Sequence, residues 1–427
     1  MAKRNILGIA RDLIIDVIKN NTVFSLSMKA IFKQYNLKND EKNTISAIAG
    51  CELRHHLIFQ EITKRAFGEL TLENAVSIYV ALANVLFVKK IDETETLLFV
   101  YKTLDESGVE YSVEEVKNFF ETSKNTKELI PSDYQKNSID FLSLRFNTPK
   151  WLVKMWKKVF GESITYKILK ANSKPPLNTC ALIDFYATMD EVLENPELFT
   201  KGYVDNTVVY LGKSPIKKQR LVEANKIYPQ KLAIKHALDN IEFDPFKGVA
   251  VYQGYISNIY LEPILKTNRL VDLDIIVSNY QDHADVKNKI KLFDLKNTHL
   301  YMCEPSSIIT CVSRPVNTFV VAPKSSNFDL LRTAPDYFMH FKPETLDLLI
   351  KNQYTALTEC SNFIEEGGQI VYMIPTISLK EGQMNIQKFV NEHEDFVLEY
   401  ERQYFPFDPY DSSLYVAVLR KVIKQND

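Results

Sequence analysis

The chain has 427 residues, 45% hydrophobic and 25% charged, a balance that excludes a disordered, collagen-like or low-complexity protein. At roughly 150 residues per domain the length predicts about three domains. A formal net charge of −2 gives no overall pull toward nucleic acid, so any such contact must come from a local basic face.

The N-terminus (MAKRNILGIARDLIIDVIKN) starts basic, but Arg11, Asp12 and Asp16 interrupt the apolar core that a secretory signal needs. The longest uncharged stretch, Asn74 to Val88, is too short to span a bilayer and carries two asparagines. The expectation is a cytoplasmic protein with no membrane partner. Ile6, Ile9, Ala10, Leu13, Ile14, Val17 and Ile18 recur at the helical period and predict a first helix. Similar spacing from Ser25 to about Lys124, without strand alternation, predicts an all-α domain over residues 1–130. Within it, residues 74–88 are apolar nearly all round, as a central helix would be. Cys51, Cys180, Cys303, Cys311 and Cys360 are odd in number and scattered, so neither a disulfide framework nor a zinc or other metal site is indicated.

Residues 131–165 read as a helical connector opening at Pro131. It holds Trp151 and Trp156 among Arg145, Lys150, Lys154, Lys157 and Lys158. Aromatics interleaved with lysines can form a stacking and phosphate-contact surface. The same pattern also fits an amphipathic helix with its tryptophans packed inward. Residues 166–235 mix a proline stop (NSKPPLN), a strand-like run (CALIDFYAT), then GYVDNTVVYLGKS and the basic cluster KSPIKKQR, with Lys213, Lys217, Lys218 and Arg220. The whole of 131–235 is thus expected to be a connector joined to a small α+β module of RNA-binding type.

From residue 236 the pattern becomes α/β. GVAVYQGY, RLVDLDII, THLYMCE, NTFVVAP and GQIVYMIP are five β-rich runs separated by helical stretches, notably Glu344 to Glu366. FVLEYERQYF and SSLYVAVLRK then close the chain as a hairpin. Five β/α units and a hairpin predict a doubly wound, Rossmann-like sheet over 236–427, with ligands beyond the carboxyl ends of its strands.

Several segments, in order, resemble the RsmB/Sun-type ribosomal RNA cytosine-C5 methyltransferases. LSLRFNTPKWLVKMWKKVFG (142–161) is similar to the family's linker signature, and NSKPPL (172–177) to its Asn-x-x-Pro-Pro-Leu element. VAPKSS (321–326), LRTAPD (331–336), Lys342-Pro343, Gln353 and EEGGQIVYMIPTIS (365–378) resemble its Asp-Ala-Pro-Cys-Ser loop, the segment behind that loop and the Thr-Cys strand. SSLYVAVLRK is similar to its last strand. The resemblance implies an N-terminal domain like the transcription factor NusB, a linking module and a C-terminal S-adenosylmethionine-dependent methyltransferase domain.

It also implies a covalent mechanism. A Cys thiolate adds to cytosine C6, C5 then attacks the cofactor's methyl group, and a second Cys and an Asp assist. Thiolate suits the task because it is both a strong nucleophile and a good leaving group. At the three corresponding positions this sequence has Pro375 for the nucleophile, Lys324 for the second Cys and Val321 for the Asp. Proline has no nucleophile. An unperturbed lysine is a free amine in roughly one molecule in 2,500 at pH 7, and an amine leaves worse than a thiolate. Lys324 either stays on the surface or fills the vacated pocket beside a carboxylate. Loss of a nucleophile costs on the order of 10⁶ in rate in other enzymes. Cys303, Cys311 and Cys360 are expected to be buried, inert thiols.

The family's glycine-rich cofactor loop is matched by GVAVYQGYISN (248–258), which keeps Gly254, has Val251 for the Asp and brings Tyr252 and Tyr255 nearby. With 12 glycines in the chain, against about 7% in average proteins, the loop is poor in them throughout. By resemblance, Asp274 would take the ribose hydroxyls and Glu304 would lie near the adenine; capping and solvated-loop roles fit them as well. S-adenosylmethionine binding is therefore in doubt.

The leading expectation is a degenerate relative that binds RNA, with small-subunit ribosomal RNA or an assembly intermediate as partner. Arg145, Lys150, Lys154, Lys157, Lys158 and the Lys213–Arg220 cluster would make the contacts. A second reading is an active methyltransferase with an unconventional site such as Lys324. In a third, the N-terminal helical domain docks a protein partner.

Overall fold

In the first 173 residues, periodic apolar faces become eight α-helices among the described residues: α1 (Ile6–Lys19), α2 (Phe24–Tyr35), α3 (Asn39–Phe67), α4 (Leu72–Ala83), α5 (Glu93–Ser107), α6 (Val113–Ser123), α7 (Ile139–Arg145) and α8 (Lys150–Asn172). The structure, a computed structural model, describes residues 5–126, 128–254, 256–312 and 314–423. Asn5 caps α1, its side chain accepting the Gly8 N–H at 2.8 Å. Ile9, Ala10, Leu13, Ile14 and Val17 turn inward as their spacing requires. α4 continues into a π-helical turn, Asn84–Val88. The buried Asn84 carboxamide donates to Ile91 O at 2.9 Å and to Thr96 Oγ1 at 3.0 Å, and accepts the Lys90 and Ile91 amides, both at 3.1 Å. An asparagine is tolerated in so apolar a helix because every polar atom of its side chain is matched.

The chain separates into two units. Residues Leu331–Lys342 join Met1–Ser173, although the chain on either side of them belongs to the other unit. The Phe24 N–H donates to the Asp336 carboxylate at 2.8 Å, His340 Nδ1 lies 2.7 Å from Asn21 Oδ1, and Phe341 stacks on Trp151 with centroids 6.1 Å apart. Along α8, Trp156 is fully buried while Lys154 and Lys158 are exposed. The inward-packed arrangement therefore holds for that tryptophan. The helix breaks at Gly161, whose φ of 75° and ψ of 177° suit glycine alone. Among the described residues no single helix is long and apolar enough to cross a membrane.

The second unit comprises Lys174–Leu330 and Pro343–Asp427. A small antiparallel sheet of β1 (Thr179–Leu182), β2 (Phe199–Lys201), β3 (Thr207–Tyr210) and β4 (Ile227–Pro229) runs in the order β2-β3-β1-β4. A larger sheet follows, of β5 (Val249–Gln253), β6 (Leu273–Val277), β7 (Thr298–Met302), β8 (Val316–Ala322), β9 (Ile364–Ile374), β10 (Phe396–Tyr404) and β11 (Leu414–Lys421). Its order is β10-β11-β9-β8-β5-β6-β7, parallel from β7 to β9 and antiparallel through β11 and β10. This is the expected Rossmann-like sheet. β5 is buried at every residue, as a central parallel strand covered on both faces must be. Two boundaries differ from expectation. The second run pairs only from Leu273 onward, and the helix from Glu344 stops at Ser361, so that Ile364–Glu366 open β9.

Candidate functional site

Parallel pairing brings the ends of β8 and β9 side by side, with Val321 opposite Tyr372. Val321 is completely buried, so the family's Asp position is filled here by core hydrocarbon. Pro375 follows β9 directly and is buried against a cleft of about 380 Å³. Lys324 is exposed; its carbonyl accepts from Gln353 Nε2 at 2.9 Å. Behind these loops lies a residue that the sequence did not single out. The fully buried Glu381 carboxylate accepts the Ser326 N–H at 2.7 Å, the Ser326 hydroxyl at 2.6 Å, Thr376 Oγ1 at 2.7 Å and Gln353 Nε2 at 2.9 Å. Four donors compensate a carboxylate removed from water.

At the end of β5, Gly254 donates its N–H to Ala322 O at 2.8 Å, and its carbonyl accepts the Ser278 hydroxyl at 3.2 Å. A Cβ at Gly254 would stand 3.0 Å from both Ala322 O and Pro323 Cα. Gln253 is buried and its Oε1 finds no partner. Tyr252 is buried in the core cluster against which Cys303 also packs, and burial pushes its hydroxyl pKa up. Tyr255 lies outside the described residues.

Asp274 is not at the carboxyl end of its strand. It is the second residue of β6, in register with Ala250, and its carboxylate lies 3.4 Å from Arg314 Nε. Burial raises its carboxyl pKa above the usual range. Three residues of strand, about 10 Å, separate it from the end that faces the Gly254 loop. The expected placement of Asp274 at the end of its strand is corrected accordingly, since the apolar run Ile275–Val277 carries the strand past the acid. Ser278 and Asn279 follow β6, and Asn279 caps the next helix by accepting the Asp282 N–H at 2.9 Å. Glu304 is exposed just beyond β7, close enough to Tyr252 to add to the rise in its pKa.

The basic candidates divide between the two units. In the first, Lys150 pairs with Asp140, Lys157 pairs with Glu162 at 2.8 Å, and the Arg145 guanidinium lies over the rings of Phe141 and Phe146, 5.8 and 5.7 Å from their centroids. Lys154 and Lys158 are exposed on α8. In the second, Lys213, Lys217, Lys218 and Arg220 are all exposed about one 3₁₀ turn, Ile216–Lys218. Ile216, on that turn, lines the 380 Å³ cleft.

No family model matches the chain. A probable ribosomal RNA small subunit methyltransferase B of Bacillus subtilis is 21% identical over 418 aligned positions, covering 93% of this chain and 90% of the relative. The crystal structure of PH0851 superposes with a TM-score of 0.73 at 14% identity, over 98% of this chain and 99% of that one. A methyltransferase homolog from Pyrococcus horikoshii gives 0.57 at 13% identity, over 68% of this chain and 100% of its own. The chain is thus similar along nearly its whole length to a probable ribosomal RNA small subunit methyltransferase B, and it shares the fold of the two solved structures.

Four of the five thiols are pushed up in pKa by their surroundings. Burial and the neighbouring Cys311 push Cys303 up to about 12, burial takes Cys51 and Cys180 to about 12, and Cys360 rises well above its ordinary value. No cysteine lines the cleft beside Pro375. Cys303 and Cys311 are half-buried rather than fully buried, which corrects that expectation for two of the three. Both lie on the turn that follows β7, where solvent reaches one side.

Proposed function

We propose that this RsmB/Sun relative binds small-subunit ribosomal RNA in the cytoplasm without methylating it. One observation carries the reading. The two loops that hold cysteines in the family end here in Lys324 and Pro375, beside a fully buried Val321. None of these three residues offers a thiolate or carboxylate for C5 chemistry.

The residues present also fit S-adenosylmethionine poorly. The amide of Gly254 is spent on Ala322 O and its carbonyl already accepts the Ser278 hydroxyl, so this glycine has no N–H to offer a ligand. β6 ends at Val277 and is followed by Ser278 and Asn279 rather than a carboxylate. An active enzyme built on Lys324 would need that side chain in the cleft, whereas it is exposed and does not line it.

What persists is an exposed basic turn beside a cleft, together with Lys154 and Lys158. Charge reversal at Lys154, Lys158, Lys217 and Lys218 is expected to weaken binding to a small-subunit ribosomal RNA transcript and to flatten its salt dependence, by about 0.7 per lost phosphate contact on a single strand. Unchanged affinity and slope would overturn the RNA reading. Transfer of a radiolabelled methyl group to the transcript at ordinary turnover would overturn the inactive one.

A further inference from the structure

We propose that the cavity between α3, α4 and α7 of the first unit takes a neutral, polyhydroxylated small molecule of the sugar class, held by the hydroxyls of Thr63, Tyr79 and Ser143. The cavity measures about 650 Å³, and these three residues line it at 1%, 5% and 2% exposure. Thr63 departs from its neighbours. On the helices of this unit Thr44, Thr96, Thr103 and Thr122 each donate to the carbonyl four residues back, at 2.7 to 3.0 Å. That local bond is the ordinary outlet for a helical threonine. Thr63 makes none, and its Oγ1 is enclosed without a partner. Among the described residues none bonds the Tyr79 or the Ser143 hydroxyl either. An enclosed polar atom without a partner is costly, and two more unmatched hydroxyls on the same cavity call for an occupant that matches all three.

The rest of the wall narrows the class of occupant. Its charges are already matched. Lys64 pairs with Glu69, Lys150 pairs with Asp140, and Glu61 accepts from Arg65 Nε at 2.6 Å and from the Tyr134 hydroxyl at 2.8 Å. A charged guest would compete with one of these pairs, so a neutral one is favoured. Burial, with the Glu52 carboxylate adding to it, pushes the Tyr79 hydroxyl pKa up, and Tyr79 therefore keeps its proton. A hydroxyl both donates and accepts, so three of them suit a guest whose own groups do the same. Leu57, Leu72, Leu144 and Pro149 supply apolar wall for the C–H face of a sugar ring. The volume falls within the roughly 300–1,000 Å³ of small-ligand sites. The cavity lies wholly within the first unit and needs neither the basic turn nor RNA.

The test uses the full chain, titrated calorimetrically with D-ribose, D-glucose and myo-inositol at millimolar concentration. Saturable binding of at least one is expected, weakened about fivefold or more by Thr63→Val and by Tyr79→Phe, the loss of one hydrogen bond each. Each variant should melt no lower than the parent, because neither hydroxyl bonds a described residue. Gluconate and glucosamine, run beside glucose, are expected to bind more weakly than it does. Tighter binding of either charged analogue overturns the neutral class. Equal affinity of parent and variants places the guest elsewhere and overturns this site, as does the absence of saturable binding by all three neutral probes. Because no probe is a nucleic acid, each of these results leaves the RNA reading where it stands.

Discussion

The buried carboxylate of Glu381 holds both hydrogen-bonding groups of Ser326, the backbone N–H at 2.7 Å and the hydroxyl at 2.6 Å. Ser326 belongs to the loop after β8, and Glu381 to the turn after β9. Thr376 and Gln353 complete the carboxylate's shell at 2.7 and 2.9 Å, and Gln353 also holds the Lys324 carbonyl. The two loops that carry cysteines in the RsmB/Sun family are thus clasped together by one acid. The clasp fixes their backbones whether or not chemistry follows.

Removing the acid should be costly. Glu381→Ala strands buried donors without an acceptor and is expected to destabilise the protein by about 3 kcal/mol or more. Glu381→Gln keeps one acceptor, and the Ser326 and Thr376 hydroxyls can turn to accept from its amide, so its cost should be about 1–2 kcal/mol. Urea unfolding of the two variants gives the order directly. If both lie within about 0.5 kcal/mol of the parent, the carboxylate does not hold the loops.

Gly254 is tested in a different way, because backbone rather than side chain crowds it. A Cβ there would stand 3.0 Å from Ala322 O and Pro323 Cα and 3.2 Å from Lys324 N. None of these is a flexible chain end, so Gly254→Ala is expected to cost about 1–3 kcal/mol and to lower Tm by several degrees. Saturating S-adenosylmethionine should leave the parent's Tm where it is, since a ligand stabilises only the state it binds. A rise in Tm with cofactor would mean that the loop opens, and the poor fit argued above would be wrong.

The parallel strands were legible because strands buried on both faces read as unbroken apolar runs, VAVY in β5 and FVVA in β8. β6 was misread for the opposite reason. Asp272 and Asp274 alternate with Val271 and Leu273, so the run looks like strand from Arg269, whereas pairing starts at Leu273 and continues through Val277. β2 and β4, at three residues each, carry too little pattern to be seen. At the site, Val321, Lys324 and Pro375 could be found by resemblance to the family. Glu381 could not, because an acid in the polar turn LKEG reads as solvated, and its partner Ser326 lies 55 residues away. The placement of Leu331–Lys342 was equally hidden, since it depends on Asp336 meeting the Phe24 amide 312 residues distant.

The loop after β5 meets a titratable group from the helix after β6, Lys289, whose Nζ donates to Asn258 Oδ1 at 2.7 Å. Burial draws its pKa down from 10.5 to about 8, against a smaller opposing pull from Asp285. A depressed lysine is a penalty on the folded state while both states are protonated, so below pH 8 the cost is present in full. As the pH rises from about 8 to 10.5, the folded protein sheds this proton before the unfolded chain does, and stability gains. Lys289→Met abolishes the titration but also removes the bond to Asn258, which adds an offset independent of pH. The readout is therefore a slope rather than a level. Urea midpoints measured from pH 7 to 10.5 should climb more steeply for the parent than for Lys289→Met. A stability difference that stays constant across that range would show that the ammonium is as well solvated in the folded protein as in the unfolded chain.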